Sequence, residues 1–196
     1  MSGKPQYDED AVLDAATDVF WRHGYASASI GDLTEATALS RSSLYQRFGD
    51  KEGLFNEVLE RYIDRVLSRM KSTVTQSSKA SVAALLLEFV PKEGNSTLPP
   101  GCLLLRCIAE QINLAPAGRT MATTGVRRQH RIFLDILKQG QLAGEIGQSV
   151  DLEVLAWYYF GVLQAVVNIP AVGVTSKAIA ELIDMAMSAW PSDQRH

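Results

Sequence analysis

The chain is poor in the residues that build covalent frameworks and metal sites. Of its 196 residues only two are cysteines, Cys102 and Cys107, and only three are histidines. Two cysteines are too few for a disulfide framework, and their spacing along one helix separates them by about 7.5 Å, at or beyond disulfide reach. The scattered thiols and histidines show no zinc-ligand spacing. We therefore expect two free thiols, no metal ion and no other cofactor.

Long apolar runs are scarce as well. The most apolar region, AWYYFGVLQAVVNIPAVGV, is interrupted by Gln164 and Asn168 and breaks at Pro170. It falls short of the roughly 18 uninterrupted apolar residues of a membrane helix. The first residues, MSGKPQYDED, hold no hydrophobic segment typical of a secretory signal. We therefore expect a cytoplasmic protein without a membrane partner.

An excess of positive charge, typical of indiscriminate nucleic-acid binding, is also missing, because the formal charge is −3. The charge is unevenly distributed. Residues 1–35 carry seven carboxylates against two cations, a net −5, whereas residues 36–51 carry three cations against one carboxylate, a net +2. A local basic spot on an acidic module is suited to steering one edge of the protein to DNA.

Apolar residues recur at helical spacing, and no clean alternation of strand type competes with them. The pattern predicts an all-α chain of about nine helices: a helix-turn-helix head of residues 1–50 and a helical body of residues 51–196. Residues 72–79 form a hinge, and the breaker-rich EGNSTLPPG is one of the later linkers. The predicted helices cover 8–23, 30–36, 41–48, 50–72 (which connects head and body), 80–91, 102–113, 119–143, 151–169 and 176–189.

Two short helices flank the tripeptide Thr37-Ala38-Leu39, and we expect Ser29 and Ser40 to cap them. Leu44 and Phe48, one turn apart, form the inward edge of the second of these helices. Its outward side is short, polar and rich in hydrogen-bonding groups, which suits a helix in a DNA major groove. That side consists of Arg41, Ser42, Ser43, Tyr45, Gln46 and Arg47.

This head resembles the TetR family of transcriptional regulators over roughly residues 8–60. The resemblance is carried by Phe20, Gly24 and Tyr25, by Ile30 and Leu33, and by SRSSLYQRFGDKEGLF at 40–55. It implies that the third helix reads double-stranded DNA. Base contacts would come from Arg41, Ser42, Ser43 and Gln46, and phosphate contacts from Tyr45, Arg47, Lys51, Ser29 and Thr34.

Two positions depart from the family pattern. The turn position usually held by glycine is Ala38, which must adopt a left-handed conformation or change the turn. Some members read a base with a long side chain from the second helix, where this chain has Gly31. Base selectivity is therefore expected to rest more heavily on the third helix.

The body resembles one TetR branch more weakly, through GCLLLRCIAEQ, LKQGQLAGEI and DLEVLAWYYFGVLQAV. Members of that branch dimerise through their last two long helices and bind a small effector between the others. The resemblance assigns dimerisation to 151–169 and 176–189. On the first of these, Gly161 and Ala165 are four residues apart and allow close helix approach. The candidate dimer residues are Trp157, Gly161, Gln164, Ala165 and Asn168.

Candidate effector residues are those whose polar or aromatic groups could face a ligand among apolar walls: Phe89, Arg106, Glu110, Tyr158 and Tyr159. Ordinary core packing and a surface Arg106–Glu110 ion pair remain the alternative. Cys102 follows helix breakers at a helix start, where the dipole can make a thiol reactive, or it is a small buried hydrophobe. His130, within RRQHR, is predicted to lie on a solvated face.

Three functions follow from these patterns. The first is a homodimeric repressor of a roughly palindromic operator, released by an effector. The second is an enzyme that uses Cys102 as a nucleophile, although no histidine is near it in sequence to act as a base. The third is a helical scaffold that binds only protein.

Overall fold

The computed structural model describes residues 7–91, 99 and 101–191. Within these residues the predicted all-α fold is confirmed, with nine α-helices and two 3-10 turns. The predicted 93–101 linker lies almost wholly outside the described residues, as do residues 1–6 of the N-terminal stretch. The α-helices are α1 Glu9–Ser27, α2 Ile30–Thr37, α3 Arg41–Phe48, α4 Lys51–Lys71, α5 Ser78–Glu88, α6 Leu103–Ala109, α7 Pro116–Leu142, α8 Leu152–Asn168 and α9 Ser176–Ser188; the 3-10 turns are Gln111–Asn113 and Ile169–Val172.

The described chain forms two compact units. The first contains the described residues up to Asp64 together with Leu103–Gly125, and the second contains Arg65–Cys102 and the chain from Val126 onwards. The first unit therefore holds α6 and the start of α7 in addition to the predicted head. Each unit has its own buried apolar core.

Helix α1 begins and ends where the local chemistry requires. Asp8 caps it, accepting hydrogen bonds from the amides of Asp10 at 3.0 Å and Ala11 at 3.5 Å. Its regular course breaks at Gly24, whose φ of 78° and ψ of 168° lie in a region that is essentially open to glycine alone. Between these points Ala16 and Phe20 are fully buried, at the helical spacing read from the sequence.

Aromatic rings join α1 to α4 in the first unit. Phe55 lies edge-on to Phe20, with ring centroids 5.1 Å apart, and tilted to Tyr25 at 4.7 Å. Leu54 and Val58 on α4 are also fully buried. Burying a side chain of this size contributes about 1.5–3 kcal/mol, so this contact is a main source of the unit's stability.

Helix α6 is fixed to the same unit at both ends. The Leu103 amide donates a hydrogen bond to the Tyr62 hydroxyl at 3.3 Å, and the Glu110 carboxylate accepts one from the Tyr25 amide at 3.0 Å. Such links between distant residues are invisible to sequence periodicity. They explain why the compact unit includes residues far beyond the predicted head.

The second unit packs α5, α8 and α9 against one another, with the later part of α7. Its largest fully buried side chain is Tyr159 of α8, and Leu85 and Leu86 of α5 are also fully buried. His130 of α7 is only 5% exposed and stacks on Trp157, with ring centroids 4.0 Å apart. The prediction that His130 lies on a solvated face was therefore wrong, because an aromatic partner from α8 covers the imidazole.

One run of the second unit, Leu152–Val172, is long and apolar enough to cross a membrane by length and composition alone. Only 28% of its most apolar window is buried within the described structure. Core helices of soluble proteins pass the same test, so the observation is weak evidence for a membrane. It does show that α8 exposes more apolar surface than an ordinary core helix.

Glu145, in the α7–α8 connection, caps α5. Its carboxylate accepts hydrogen bonds from the amides of Ser78 at 3.1 Å and Lys79 at 3.2 Å, and from the Ser77 hydroxyl at 3.1 Å. Burial alone would raise the pKa of Glu145, but these hydrogen bonds to the charged form outweigh it and lower the pKa. The ionised carboxylate therefore stabilises the fold.

We expect Glu145→Gln to lower the free energy of unfolding by about 1 kcal/mol at neutral pH, because a partly exposed charged cap is lost. Since the folded pKa is depressed, the contribution is present above the unfolded pKa of Glu and is lost as pH falls through the folded pKa. Urea unfolding of wild type and variant between pH 7 and pH 3 measures this. Curves that stay equally far apart at both ends of that range would contradict the assignment.

Candidate nucleic-acid interface

The turn between α2 and α3 is built by caps on both helices. The Ser29 hydroxyl accepts from the Asp32 amide at 3.1 Å, and the Asp32 carboxylate accepts from the Ser29 amide at 2.8 Å, which completes a capping box. Hydrogen bonds from Ser29 lower the pKa of Asp32. The Ser40 hydroxyl accepts from the Ser43 amide at 3.1 Å. Both predicted caps are confirmed.

Ala38 lies in the left-handed region, with φ 55° and ψ 17°. It is the sole non-glycine residue with positive φ in the described chain. An L-residue in this conformation costs roughly 1–2 kcal/mol relative to right-handed backbone. The turn therefore keeps the geometry expected for glycine, at a cost in stability, and the first alternative for Ala38 is the one observed.

Helix α3 divides into a buried and an exposed side as predicted. Leu44 is fully buried and Phe48 is 7% exposed, so these two residues anchor the helix. Ser43 is half-buried, and its hydroxyl lies 2.9 Å from that of Ser40, as does the hydroxyl of Ser42. The exposed members of the polar side are Arg41, Ser42, Tyr45, Gln46 and Arg47. We call these five residues the polar arc.

Within the polar arc, Arg47 is committed to acidic partners. Its guanidinium donates to both oxygens of Glu57, each at 2.9 Å, and also pairs with Glu9. It lies 4.6 Å over the Phe48 ring. Hydrogen bonds from Glu9 and then Glu57 raise the pKa of Arg47. The predicted phosphate contact would therefore have to compete with two carboxylates, and Arg47 holds α1, α3 and α4 together in this structure.

Lys51 is likewise turned toward the protein. It is half-buried, and its ammonium donates to the carbonyls of Tyr25 at 2.8 Å and Ala28 at 2.9 Å. It lies 4.5 Å over the Tyr25 ring. Burial of the ammonium lowers the pKa of Lys51. The pKa of Tyr25 is raised by burial of its own side chain and then by the charges of Glu52 and Asp50. Because an ammonium has three donors, one remains for the predicted phosphate contact.

Other predicted DNA-binding groups are placed at the edge of the arc. The Thr34 hydroxyl donates to the Gly31 carbonyl at 2.9 Å, and its side chain is half-buried. Gly31 and Ser29 are exposed. Arg41 has no ion-pair partner among the described residues, so its charge is available at the surface. The free charge of the arc thus lies at the beginning of α3, at Arg41.

The predicted effector residues are divided between the two compact units. Arg106 and Glu110 pair with each other at 3.1 Å, and Glu110 also holds the Tyr25 amide in the first unit. This agrees with the structural alternative for the pair.

The remaining candidates belong to the second unit and have separate environments. Phe89 lies 4.4 Å under the Arg69 guanidinium and is half-buried, whereas Tyr158 is 43% exposed. Cys102 is 8% exposed, and neither Cys102 nor Cys107 forms a disulfide in the described structure. Tyr159 alone is completely buried, and burial followed by the charge of Tyr158 raises its pKa. Cys102 and Tyr159 are therefore the candidates with an interior position.

Two of the predicted dimer residues, Trp157 and Gly161, lie on an exposed stripe of α8. Trp157 is 44% exposed, and a side chain built on Gly161 meets nothing within 4 Å. Val154, one turn before Trp157, is 64% exposed. Gln164 and Ala165 are half-buried.

Asn168 is used inside the unit. Its side-chain amide donates to the Gln164 carbonyl at 2.7 Å, and its oxygen accepts from the Cys102 amide at 3.3 Å. It therefore fixes the backbone that precedes α6 to the end of α8.

In the part of the chain that the structure describes, no group of three or more His, Cys, Asp or Glu side chains is placed to hold a metal ion.

The comparisons with known proteins agree with this geometry. The profile described as "Bacterial regulatory proteins, tetR family" matches residues 12–58, which cover the caps, the turn and α3. The HTH-type transcriptional repressor ComR of Escherichia coli (strain K12) is 32% identical over 197 residues, covering 96% of this chain and 92% of that protein. The chain belongs to the TetR family.

Further comparisons extend the TetR-family match to the whole described fold. The TetR-family regulator CifR, as a cysteine-substituted variant complexed with 26-bp operator DNA, is 30% identical with a TM-score of 0.83, covering 96% of this chain and 100% of that one. The repressor AcnR of Corynebacterium efficiens is 28% identical over 188 residues, covering 93% of this chain and 92% of that protein. This TetR-family chain is a DNA-binding transcription regulator, and its family consists of regulators rather than enzymes.

Proposed function

We propose that this regulator is a cytoplasmic repressor that binds a roughly palindromic double-stranded DNA operator as a homodimer and is released by a small-molecule effector. The observation that carries the proposal is the polar arc, held outward by the buried Leu44 and Phe48 on a capped turn. Support also comes from relatives that are named repressors and from the operator complex of CifR.

The residues of the arc divide by what they can recognise. Arg41 and Gln46 have the bidentate donor or acceptor geometry that distinguishes guanine and adenine in the major groove, with Ser42 and Ser43 beside them. Tyr45, 41% exposed, would bond a phosphate. Four further side chains would contact DNA phosphates. Lys51 would use its remaining donor, and Ser29 and Thr34 would contact phosphate from the N-cap of α2 and from α2 itself. Arg47 would do so once it exchanges a carboxylate for DNA. These contacts would set register and carry little base information.

The dimer in this proposal forms through α8 and α9. Val154, Trp157 and Gly161 recur at one-turn spacing on α8, with Val154 64% and Trp157 44% exposed and open space around Gly161, and Met185 of α9 is 76% exposed. A two-fold axis there would repeat the recognition helices about one DNA turn apart, which explains why the operator would be palindromic. Ala165 would allow close approach of the two copies, with Gln164 and Asn168 at the end of the contact.

Effector release is proposed in two forms. The first is a small molecule in the interior of the second unit, beside Tyr159. The second is modification of Cys102, which would require local opening, because the side chain is 8% exposed. In either form the ligand-bound or modified dimer would be the state that fits DNA less well. Release of the operator from Cys102→Ser protein separates the two forms, since only the second form needs the thiol.

The test of DNA recognition begins with selecting bound sequences from random DNA with the full-length protein. We expect Tyr45→Ala to weaken binding of all sequences about 10-fold, because a phosphate contact is lost. Gln46→Ala is expected to relax the choice at one base position by roughly 1–3 kcal/mol. Gel-shift affinities on the selected operator and on its single-base variants measure both effects.

Gln139→Ala is the matched control, because Gln139 is an exposed glutamine on α7 that is not a member of the arc. It should leave both affinity and base preference unchanged. The head assignment is wrong if Tyr45→Ala and Lys51→Ala both bind the operator as tightly as wild type. Absence of salt-dependent DNA retention would favour the protein-binding scaffold instead.

A further inference from the structure

Two polar groups end in the interior of the second unit without a hydrogen-bond partner among the described residues: the Tyr159 hydroxyl and the Gln129 side-chain nitrogen. Tyr159 is 0% exposed and Gln129 is 2% exposed. Buried groups of this kind are nearly always paired, because an unpaired donor loses its hydrogen bonds to water and gains none in return. The pair therefore needs an explanation.

The two residues belong to facing parts of α7 and α8. Gln129 lies on the buried stripe of α7, one turn before Phe133. The Phe133 ring is stacked on that of Tyr159, with centroids 6.5 Å apart. Tyr159 also contacts the ring of Trp190 at 5.8 Å. Gln129 is thus one turn along α7 from the residue whose ring stacks on Tyr159, and the Tyr159 ring lies among aromatic side chains.

Neighbouring polar groups are already committed. The Trp190 indole donates to the Glu145 carbonyl at 3.4 Å, so it does not compete for an acceptor near Tyr159. Phenylalanine would fill the place of Tyr159 without any unpaired group, as Phe160 does in the next position. A hydroxyl and a carboxamide retained here are therefore suited to an acceptor that comes from outside the chain.

The electrostatics narrow the kind of acceptor. The hydroxyl remains a neutral donor at physiological pH, because burial raises the pKa of Tyr159, with a further increase from Tyr158. Neither donor carries a positive charge, so a buried carboxylate or phosphate would receive no counter-charge from this pair, which makes burial of an anion costly. A neutral carbonyl oxygen, with two lone pairs, matches two neutral donors.

We propose that Tyr159 and Gln129 form the polar end of a ligand site between α7 and α8, which takes a small, uncharged, largely aromatic or aliphatic molecule carrying a carbonyl oxygen. The inference rests on the proposed effector-released repressor and names the chemical class of its effector. The carbonyl oxygen accepts from both donors, and the apolar part packs on Phe133 and Trp190.

The experiment compares three probes of similar size: acetophenone, ethylbenzene and benzoate. Isothermal titration calorimetry on the full-length protein measures each affinity. We expect acetophenone to bind at least 10-fold more tightly than either ethylbenzene, which lacks the oxygen, or benzoate, which carries the charge. In the Tyr159→Phe/Gln129→Leu double variant the ratio of acetophenone to ethylbenzene affinity should fall to about one.

Thermal unfolding without a probe tests whether the donors are unpaired. Tyr159→Phe should unfold at the wild-type temperature or above it, because no hydrogen bond is lost. Tyr62→Phe is the matched control: its hydroxyl accepts from the Leu103 amide, so this variant should unfold at a lower temperature and keep the probe preference.

Several results would overturn the proposal. In calorimetry these are tightest binding of benzoate, no binding of any probe, or an acetophenone-to-ethylbenzene affinity ratio that is unchanged in the double variant. In thermal unfolding it is a Tyr159→Phe protein that is destabilised as much as Tyr62→Phe. Failure of the repressor proposal is read separately, by gel shift of unliganded protein on the selected operator. The two failures are therefore distinguishable.

Discussion

Replacing Gly24 by alanine is expected to lower the free energy of unfolding by about 3–4 kcal/mol, as strain and overpacking add. Gly24 has a φ of 78° with an extended ψ, a backbone conformation that residues with a side chain rarely adopt. A β-carbon built there lies 2.7 Å from Glu110 Cδ and closer still to the carboxylate oxygens. The new methyl group would therefore strain the backbone and push Glu110 away from the Tyr25 amide.

Thermal unfolding measures the effect, which corresponds to a fall in melting temperature of roughly 6–16 °C for a chain of this length. Gly49→Ala is the matched control, since Gly49 also has a positive φ of 81° but nothing within 4 Å of a built β-carbon. It should cost only the backbone strain, about 1–2 kcal/mol. The difference between the two variants isolates the collision with Glu110.

A double variant tests the cause directly. Glu110→Ala removes the carboxylate, so adding it to Gly24→Ala should restore part of the lost stability, and the two changes should not be additive. If Gly24→Ala is no worse than Gly49→Ala, the close approach of α6 to the end of α1 does not exist in solution.

Gly161→Arg is expected to abolish dimerisation and to weaken operator binding by about 100-fold, because two linked heads bind DNA far more tightly than one. The arginine places a charge in the middle of the exposed stripe of α8. It should not disturb the folded protomer, since the space around Gly161 is open. Replacing a helical glycine should even favour the helix by several tenths of a kcal/mol.

Analytical ultracentrifugation gives the association state and gel shift gives the affinity. Leu142→Arg serves as the control, because Leu142 is 81% exposed at the end of α7, outside the stripe. It introduces the same charge and should leave both measurements unchanged. A Gly161→Arg protein that remains dimeric would place the dimer contact elsewhere.

The helices were predictable because their signals are local. Ser29 and Ser40 cap α2 and α3 at the predicted residues, and Leu44 and Phe48 occupy the inward positions that helical spacing gives them. The left-handed Ala38 was one of the two outcomes that its place in the turn allowed. Boundaries differ where tertiary contacts intervene, as at α6, which ends at Ala109 and is followed by a separate 3-10 turn.

The partners of the charged side chains were not predictable in the same way. Arg47 lies 38 residues from Glu9 and 10 from Glu57, and no periodicity connects them. The excess of carboxylates near the N-terminus could have predicted ion pairs with arginines of the same unit. Asp10 and Asp14 pair with Arg61, and Glu9 pairs with Arg47. Part of the basic charge read as a DNA-steering spot is thus balanced within the unit.

His130 was misassigned for a related reason. Its neighbours in RRQHR suggested a solvated face, but the ring that covers it, Trp157, is 27 residues away on another helix. The orphaned donors of Gln129 and Tyr159 were also invisible, since an unpaired group is recognised only after every neighbour has been placed.

The link through Tyr25 has a consequence for genetics. Its amide is held by Glu110 and its carbonyl by Lys51, so α6 and the start of α4 meet on the two sides of one residue's main chain. Every amino acid except proline brings the same amide and carbonyl to this position. Substitutions at residue 25 other than proline therefore remove the ring contacts with Phe55 and Lys51 but keep the groups that make these two main-chain bonds, whereas changes at residues 51 and 110 remove the bonds themselves.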